Sequence, residues 1–459
     1  MLRIGARVAV GLCMLLWSGL GQAVDGRMAA RVGGGQAAGA ADGGVGEALP
    51  FAGGWLRPDG GLVSVGHDEV SPFLMDFGAR RRWRLEPREA GAWALAGSQP
   101  PVRVTPAAQG TRLALREEGA GASTVELRPL PMRTEEVTFR SGDVTLSGTL
   151  WLPSGATPRA AVVLLHDANA GTRRALEPYP TFLVHQGLAV LTYDRRGAGR
   201  SSGAGQPWAS GVREWADDGL AGARWLRERS GAREVGLMGF GQGAWVAVHA
   251  AARAPQGVGF LVLVSGGGGA LWKQEQHRLR NEARRRGLTG PEVMDLAEHV
   301  GALHDGRLYA PEREAKALRT LDFQLKRAKR KRWFAVSPLA GHEDLPLSWL
   351  LEFQRAVWRN VLSYDPAEDL SRVRVPVLAL LGAQDTVTSA RSTAHALSQG
   401  LPRSGAADAG AASVTVKVLP GADHGLTLPP DAKQPGVETM AEEAFPVLEA
   451  WLRGLALER

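Results

Sequence analysis

The residues with chemical potential stand in four turns, each directly after an apolar run. These are His166-Asp167-Ala168, Gly239-Phe240-Gly241-Gln242-Gly243, Gly382-Ala383-Gln384-Asp385 and Gly421-Ala422-Asp423-His424-Gly425. In an open parallel sheet, ligands bind at the carboxyl ends of the strands, so turns in that position face a common site. The second turn runs straight into a helix-forming segment at 242–253. Strand, sharp Gly-flanked turn and helix together make the shape that holds up a nucleophile for covalent catalysis. Here the central residue is Gly241, which has no side-chain atom to attack a carbonyl, so a route through an acyl-enzyme is closed. Glycine still suits the turn, because the backbone there is strained for any residue that carries a Cβ.

These turns need strands to place them. Apolar runs at 161–166, 188–193, 235–239, 260–265, 376–382 and 414–419 read as strands covered on both faces. Residues 137–139 and the alternation of Val144, Leu146 and Leu150 precede them. Helical periodicity fills 212–229, 242–253, 390–399 and 440–457, which predicts an α/β domain with a mostly parallel sheet over 134–459. Residues 271–365 break the alternation. Their helix-period pattern (Leu318, Leu321, Leu325, Ala328) and lack of a convincing strand predict a helical lid inserted above the sheet. Most of Trp333, Phe334, Trp349, Leu350, Phe353 and Trp358 are expected in its core, with any remainder lining an acyl pocket.

At this point the chain resembles the α/β-hydrolase family, in particular bacterial serine esterases and serine aminopeptidase-like peptidases with a helical lid. The order elbow, acid, histidine carries the resemblance. It implies that Asp385 orients the base and that His424 is the general base. The buried carboxylate would fix one imidazole nitrogen so that the other can take a proton. It also implies an oxyanion hole made by the backbone N–H groups of Gln242, at a helix start, and Ala168. The family has Ser where this chain has Gly241, and usually Gly where it has Asp167. A carboxylate at 167 opposes a site built for negative charge unless it points away or is neutralised. Ser201 is expected to be a turn residue, and Ser265 is a poor replacement nucleophile because no helix starts directly behind it.

Three readings remain open. The chain is a ligand-binding pseudoenzyme, or a weak hydrolase in which His424 and Asp385 activate water, or an esterase whose Ser was changed to Gly. Under all three the expected ligand is a small ester- or peptide-like molecule. No metal or organic cofactor is implied, and H-E-x-x-H, Walker and Rossmann motifs are absent from the sequence.

Length and composition frame this. The 459 residues exceed one average domain, and 44% hydrophobic with 22% charged residues argues against a wholly disordered chain. Residues 49–131 alternate in short runs split by Gly, Pro and Asp, which predicts a small antiparallel β module. The net charge of +7 does not imply nucleic acid, since no block of like charge dominates the chain. The positive excess is concentrated in the 271–365 insertion, most densely in the Lys/Arg-rich run 326–332. That run reads as a solvated helix end, or as an attraction for an anionic substrate or an anionic membrane surface.

At the amino terminus, Arg3 and Arg7, the apolar run 8–20 and Gly21-Gln22-Ala23 read as a signal peptide at 1–23, so the chain is expected to be exported, periplasmic or secreted. Cleavage there removes the single Cys13, and no disulfide can then form. A Gly- and Ala-rich linker is expected within 24–48.

Overall fold

The computed structural model describes residues 49–455 apart from 120, 156, 169, 205–208 and 403–412. The expected signal peptide and linker lie outside the described residues. No helix among the described residues is long and apolar enough to cross a membrane.

The first eight strands are β1 (Gly53–Leu56), β2 (Leu62–His67), β3 (Pro72–Asp76), β4 (Arg81–Pro87), β5 (Trp93–Leu95), β6 (Val102–Ala107), β7 (Arg112–Glu117) and β8 (Thr124–Pro129). Each pairs antiparallel with the next, and β8 returns to β1, so the sheet closes into a barrel. Period-2 alternation supplies two apolar faces. Trp55, Val63, Val65, Leu74, Leu85, Val104, Leu113 and Leu127 fill the interior. Leu56, Leu62, Phe73 and Met75 point the other way and join the core of the second domain. Closure also removes the exposed strand edges that so many short strands would otherwise present.

The second sheet holds β9 (Met132–Ser141), β10 (Val144–Pro153), β11 (Ala160–Leu165), β12 (Leu188–Tyr193), β13 (Val235–Phe240), β14 (Leu261–Val264), β15 (Val377–Gly382) and β16 (Val414–Leu419). Their order is β16-β15-β14-β13-β11-β12-β10-β9. From β12 to β16 the pairing is parallel, while β9 and β10 add an antiparallel edge, so the sheet is mixed. Helices α1 (Tyr179–His185), α2 (Val212–Ser230) and α3 (Gln242–Arg253) lie within this alternation. Val163, Leu165 and Leu237 face α2 and α3, whereas Val162, Leu164 and Met238 face α1. Double-sided burial explains why these strands read as unbroken apolar runs.

Between β14 and β15 the chain inserts α4 (Leu271–Arg285), α5 (Gly290–Leu303), α6 (Glu314–Ala328) and α7 (Leu347–Val357). These helices bury their own core around Leu296, Leu321, Trp333 and Leu350. The sequence signals are local: Thr289 and Glu292 form a capping box at the start of α5. Trp333, Phe334 and Leu350 are buried as expected of core residues, but Trp349 is exposed.

The short α8 (Ala367–Leu370) leads into β15, and α9 (Ala390–Gly400) and α10 (Ala444–Gly454) follow it. The last helix starts at Ala444 rather than at 440, because β17 (Val437–Thr439) pairs with β4 of the barrel and Met440 bridges Thr427. Neither β17 nor α1 was evident from periodicity, being only three and seven residues long. The Phe77 ring packs against Phe182 of α1 and Phe445 of α10, which ties barrel and sheet domain together.

Candidate active site

The turn after β13 has elbow geometry: Gly241 sits at φ 46°, ψ −115°, and α3 begins at the next residue. Its flanking glycines are required by close approach. A Cβ at Gly239 would fall 2.1 Å from the Gly243 carbonyl oxygen, and one at Gly243 would fall 2.4 Å from that of Leu165. At Gly241 the obstacle is a side chain rather than backbone. A Cβ there would fall 1.9 Å from Asp167 Oδ1.

Asp167 follows β11 and turns its carboxylate into the elbow. The Gln242 N–H donates to Oδ1 at 2.9 Å and the Ala168 N–H donates to the same oxygen at 2.6 Å. These are the two amides that the family resemblance implies as oxyanion donors, and they are filled by a carboxylate from the chain itself. The other oxygen, Oδ2, lies 3.2 Å from His424 Nε2. His424 Nδ1 in turn lies 2.8 Å from Asp385 Oδ2. Thus Asp167, Ala168, Gly241, Gln242, Asp385 and His424 are brought together. The carboxylate at 167 is neutralised rather than averted.

Each partner is held by local structure. Asp385 Oδ1 accepts from the Val387 and Thr388 N–H groups, both at 2.8 Å, leaving Oδ2 for the imidazole. In the turn that carries His424, Asp423 Oδ1 accepts from the Gly425 and Thr427 N–H groups, and buried Leu426 anchors the turn in the core. The loop 166–168 is gathered by Arg195, whose guanidinium donates to the carbonyls of Asp167 (2.7 Å), His166 (3.2 Å) and Ala168 (3.3 Å). Arg195 also stacks 4.7 Å over the Trp215 ring. The sequence signal for this role is the Asp194-Arg195-Arg196 turn directly after β12. Ser201 is a turn residue: its Oγ donates to the Asp194 carbonyl and accepts from the Ser147 N–H. Ser265 is buried at φ 52° and does not line the cleft.

The electrostatics follow from this geometry. Burial on its own would push the His424 pKa down, but hydrogen bonds and charge from Asp167 and Asp385 outweigh it and raise it to about 10. Burial would raise the Asp167 pKa, yet His424 and the two amides carry it below its ordinary value. At neutral pH His424 is therefore an imidazolium beside the Asp167 carboxylate. The space left in front of it is small, about 50 Å³, bounded by Trp245, Leu271, Val361, Leu362 and Thr388 among others. Among the described residues, no group of three His, Cys, Asp or Glu side chains converges as a metal site requires.

The description "Serine aminopeptidase, S33" matches residues 156–431. A proline iminopeptidase of Lactiplantibacillus plantarum is 33% identical over 130 residues, which is 28% of this chain. The matched part spans 42% of that relative's length. Among solved structures, an esterase of Pyrococcus furiosus is 17% identical, with a TM-score of 0.41 over 71% of this chain and 93% of its own. A proline iminopeptidase of Mycobacterium smegmatis is 18% identical, with a TM-score of 0.42 over 70% of this chain and 98% of its own. On the match over 156–431, this chain belongs to the serine aminopeptidase S33 family of α/β hydrolases.

Proposed function

We propose that this chain is a non-hydrolysing member of its family: an exported protein that binds a small ester- or peptide-like molecule beneath its helical insertion, which serves as a lid, and returns it uncleaved. The observation that carries this reading is the Asp167 carboxylate seated on the Gln242 and Ala168 amides beside a bare Gly241. Acyl transfer needs an attacking atom and a vacant pair of donors for the developing oxyanion. Gly241 withholds the first and Asp167 occupies the second. A negative charge already fixed between the donors also repels the one that a transition state would place there.

The water-activating reading depends on a neutral His424. With its pKa raised to about 10 by the two carboxylates, the imidazole is held in its protonated form at pH 7. Its Nε2, the atom that would receive a proton from water, already faces Asp167 Oδ2. Binding without turnover is the chemistry this state supports.

The test is an assay of the full mature chain on short- and medium-chain nitrophenyl esters and on amino-acid anilides, beside His424→Ala. The expected result is hydrolysis at the buffer rate by both proteins. Wild-type turnover that His424→Ala abolishes would replace the binding reading with water activation.

A further inference from the structure

The helical insertion encloses a cavity of about 540 Å³, which falls within the usual range for small-molecule sites. The space before His424 is about 50 Å³, enough for little more than water. Glu275 and Leu362 line both, so the two spaces adjoin.

The walls of the larger cavity are chemically divided. Phe334, Val336, Phe353, Val357 and Leu362 give an apolar surface. Lys329, Lys331 and Arg332, from the turn after α6, give a cationic one. Of the three acids that line it, Glu275 pairs with Arg278 at 2.7 Å and Glu282 with Arg285 and Arg286 at 2.7 and 2.6 Å, while the exposed Glu343 has no ion-pair partner among the described residues. Lys331 and Arg332 each have a carboxylate partner, Asp295 and Glu292, both at 3.2 Å. Lys329 is exposed and has no carboxylate partner among the described residues. A third element is His304, 6% exposed, which lines the same cavity. Its Nδ1 is buried with no hydrogen-bond partner, while the ring bonds the Trp272 carbonyl through its other nitrogen. A ring that donates at one nitrogen carries a lone pair at the other, so Nδ1 is an unused acceptor. Buried polar atoms are seldom left unpaired, and a ligand N–H or O–H would complete this one.

We propose that this cavity is the ligand site of the protein, and that it takes a single-chain anionic amphiphile carrying an amide or hydroxyl donor near its carboxylate, of the N-acyl amino acid class. The acyl chain lies on Phe334, Val336 and Phe353, the carboxylate meets Lys329, and the donor meets His304 Nδ1. This deepens the binding reading above and rests on it in one respect: the bound amide stays intact.

The experiment is calorimetric titration of the full mature chain with N-decanoylglycine. Decanoate, which lacks the amide donor, and N-decanoylglycine methyl ester, which lacks the anion, serve as comparators. Wild-type protein should bind N-decanoylglycine at least tenfold more tightly than the ester and severalfold more tightly than decanoate. Lys329→Glu should weaken the acid severalfold and leave the ester unchanged. His304→Phe should erase the preference for N-decanoylglycine over decanoate. If His304→Phe does not fold, the ester comparison and the exposed Lys329→Glu variant decide the matter. No binding of N-decanoylglycine, or equal affinity for acid and ester with no effect of Lys329→Glu, overturns the site. Recovery of decanoate and glycine from the titrated sample would overturn the non-hydrolysing reading while leaving the site standing.

Discussion

Asp167 Oδ1 occupies the place that a side chain at Gly241 would need: a Cβ built on that glycine would fall 1.9 Å from it. The two positions are coupled. A residue larger than glycine at the elbow and a carboxylate after β11 cannot both hold these places. The glycine leaves room, and the acid uses it to reach the amides of Gln242 and Ala168 and the imidazole of His424.

The ion pair at this site predicts a signed pH dependence. Because the His424 pKa is raised to about 10 in the folded chain, its contribution is complete below about 6.5 and is lost as pH rises through about 10. Asp167 is lowered, so its contribution is present above about 4 and is lost as pH falls through its folded value. Asp167→Asn should therefore cost about 1.5–3 kcal/mol near neutral pH, the worth of a charge-assisted hydrogen bond. Between pH 7 and 10 the wild-type melting temperature should fall more steeply than that of the variant. Thermal melts of both proteins over pH 4–10 check this, and parallel curves would contradict it.

Arg195 positions the loop that carries Asp167. Its planar fork donates to three carbonyls at once, which a lysine cannot reproduce. Arg195→Lys should destabilise the chain by about 1–3 kcal/mol, because buried carbonyls lose their donors. It should also loosen Asp167, and NMR titration should then find the His424 imidazole at a lower pKa in the variant than in the wild type. A purely structural role for Arg195 would lower stability and leave that titration in place.

How much of this was legible in the sequence depends on the range of the forces involved. The inner strands of the second sheet are buried on both faces, so the apolar run at 188–193 coincides with β12, while the run at 414–419 coincides with β16, a partly exposed strand at the sheet's edge. The elbow was legible because turn chemistry is local, whereas Asp385 and His424 stood out through the resemblance carried by the order of their turns. Barrel closure was not, since the β8–β1 pairing depends on register between strands far apart in the chain. The direction of the Asp167 side chain was also illegible. It is set by Arg195, 28 residues away, and by His424, 257 residues away.

The insertion has its own core, so its stability is separable from that of the sheet. Trp333 is 1% exposed, and its Nε1 donates to Asp295 at 2.9 Å. Trp333→Ala should cost about 3–5 kcal/mol, from the cavity it leaves. Hydrogen exchange should show the loss concentrated in α4–α7, with the barrel and the second sheet protected as before. Exchange spread evenly over the chain would contradict a separate core.

The most direct test of the Asp167–Gly241 coupling is to restore the missing atom with and without clearing its place. Gly241→Ser alone should remain inactive on nitrophenyl esters and lose about 1–3 kcal/mol of stability, because the new side chain collides with Asp167. Adding Asp167→Gly should vacate the amides, free His424 Nε2 for the serine, and raise ester hydrolysis at least about a hundredfold over the single variant, the order of a restored donor pair. Full activity from Gly241→Ser alone, with Asp167 untouched, would contradict the account.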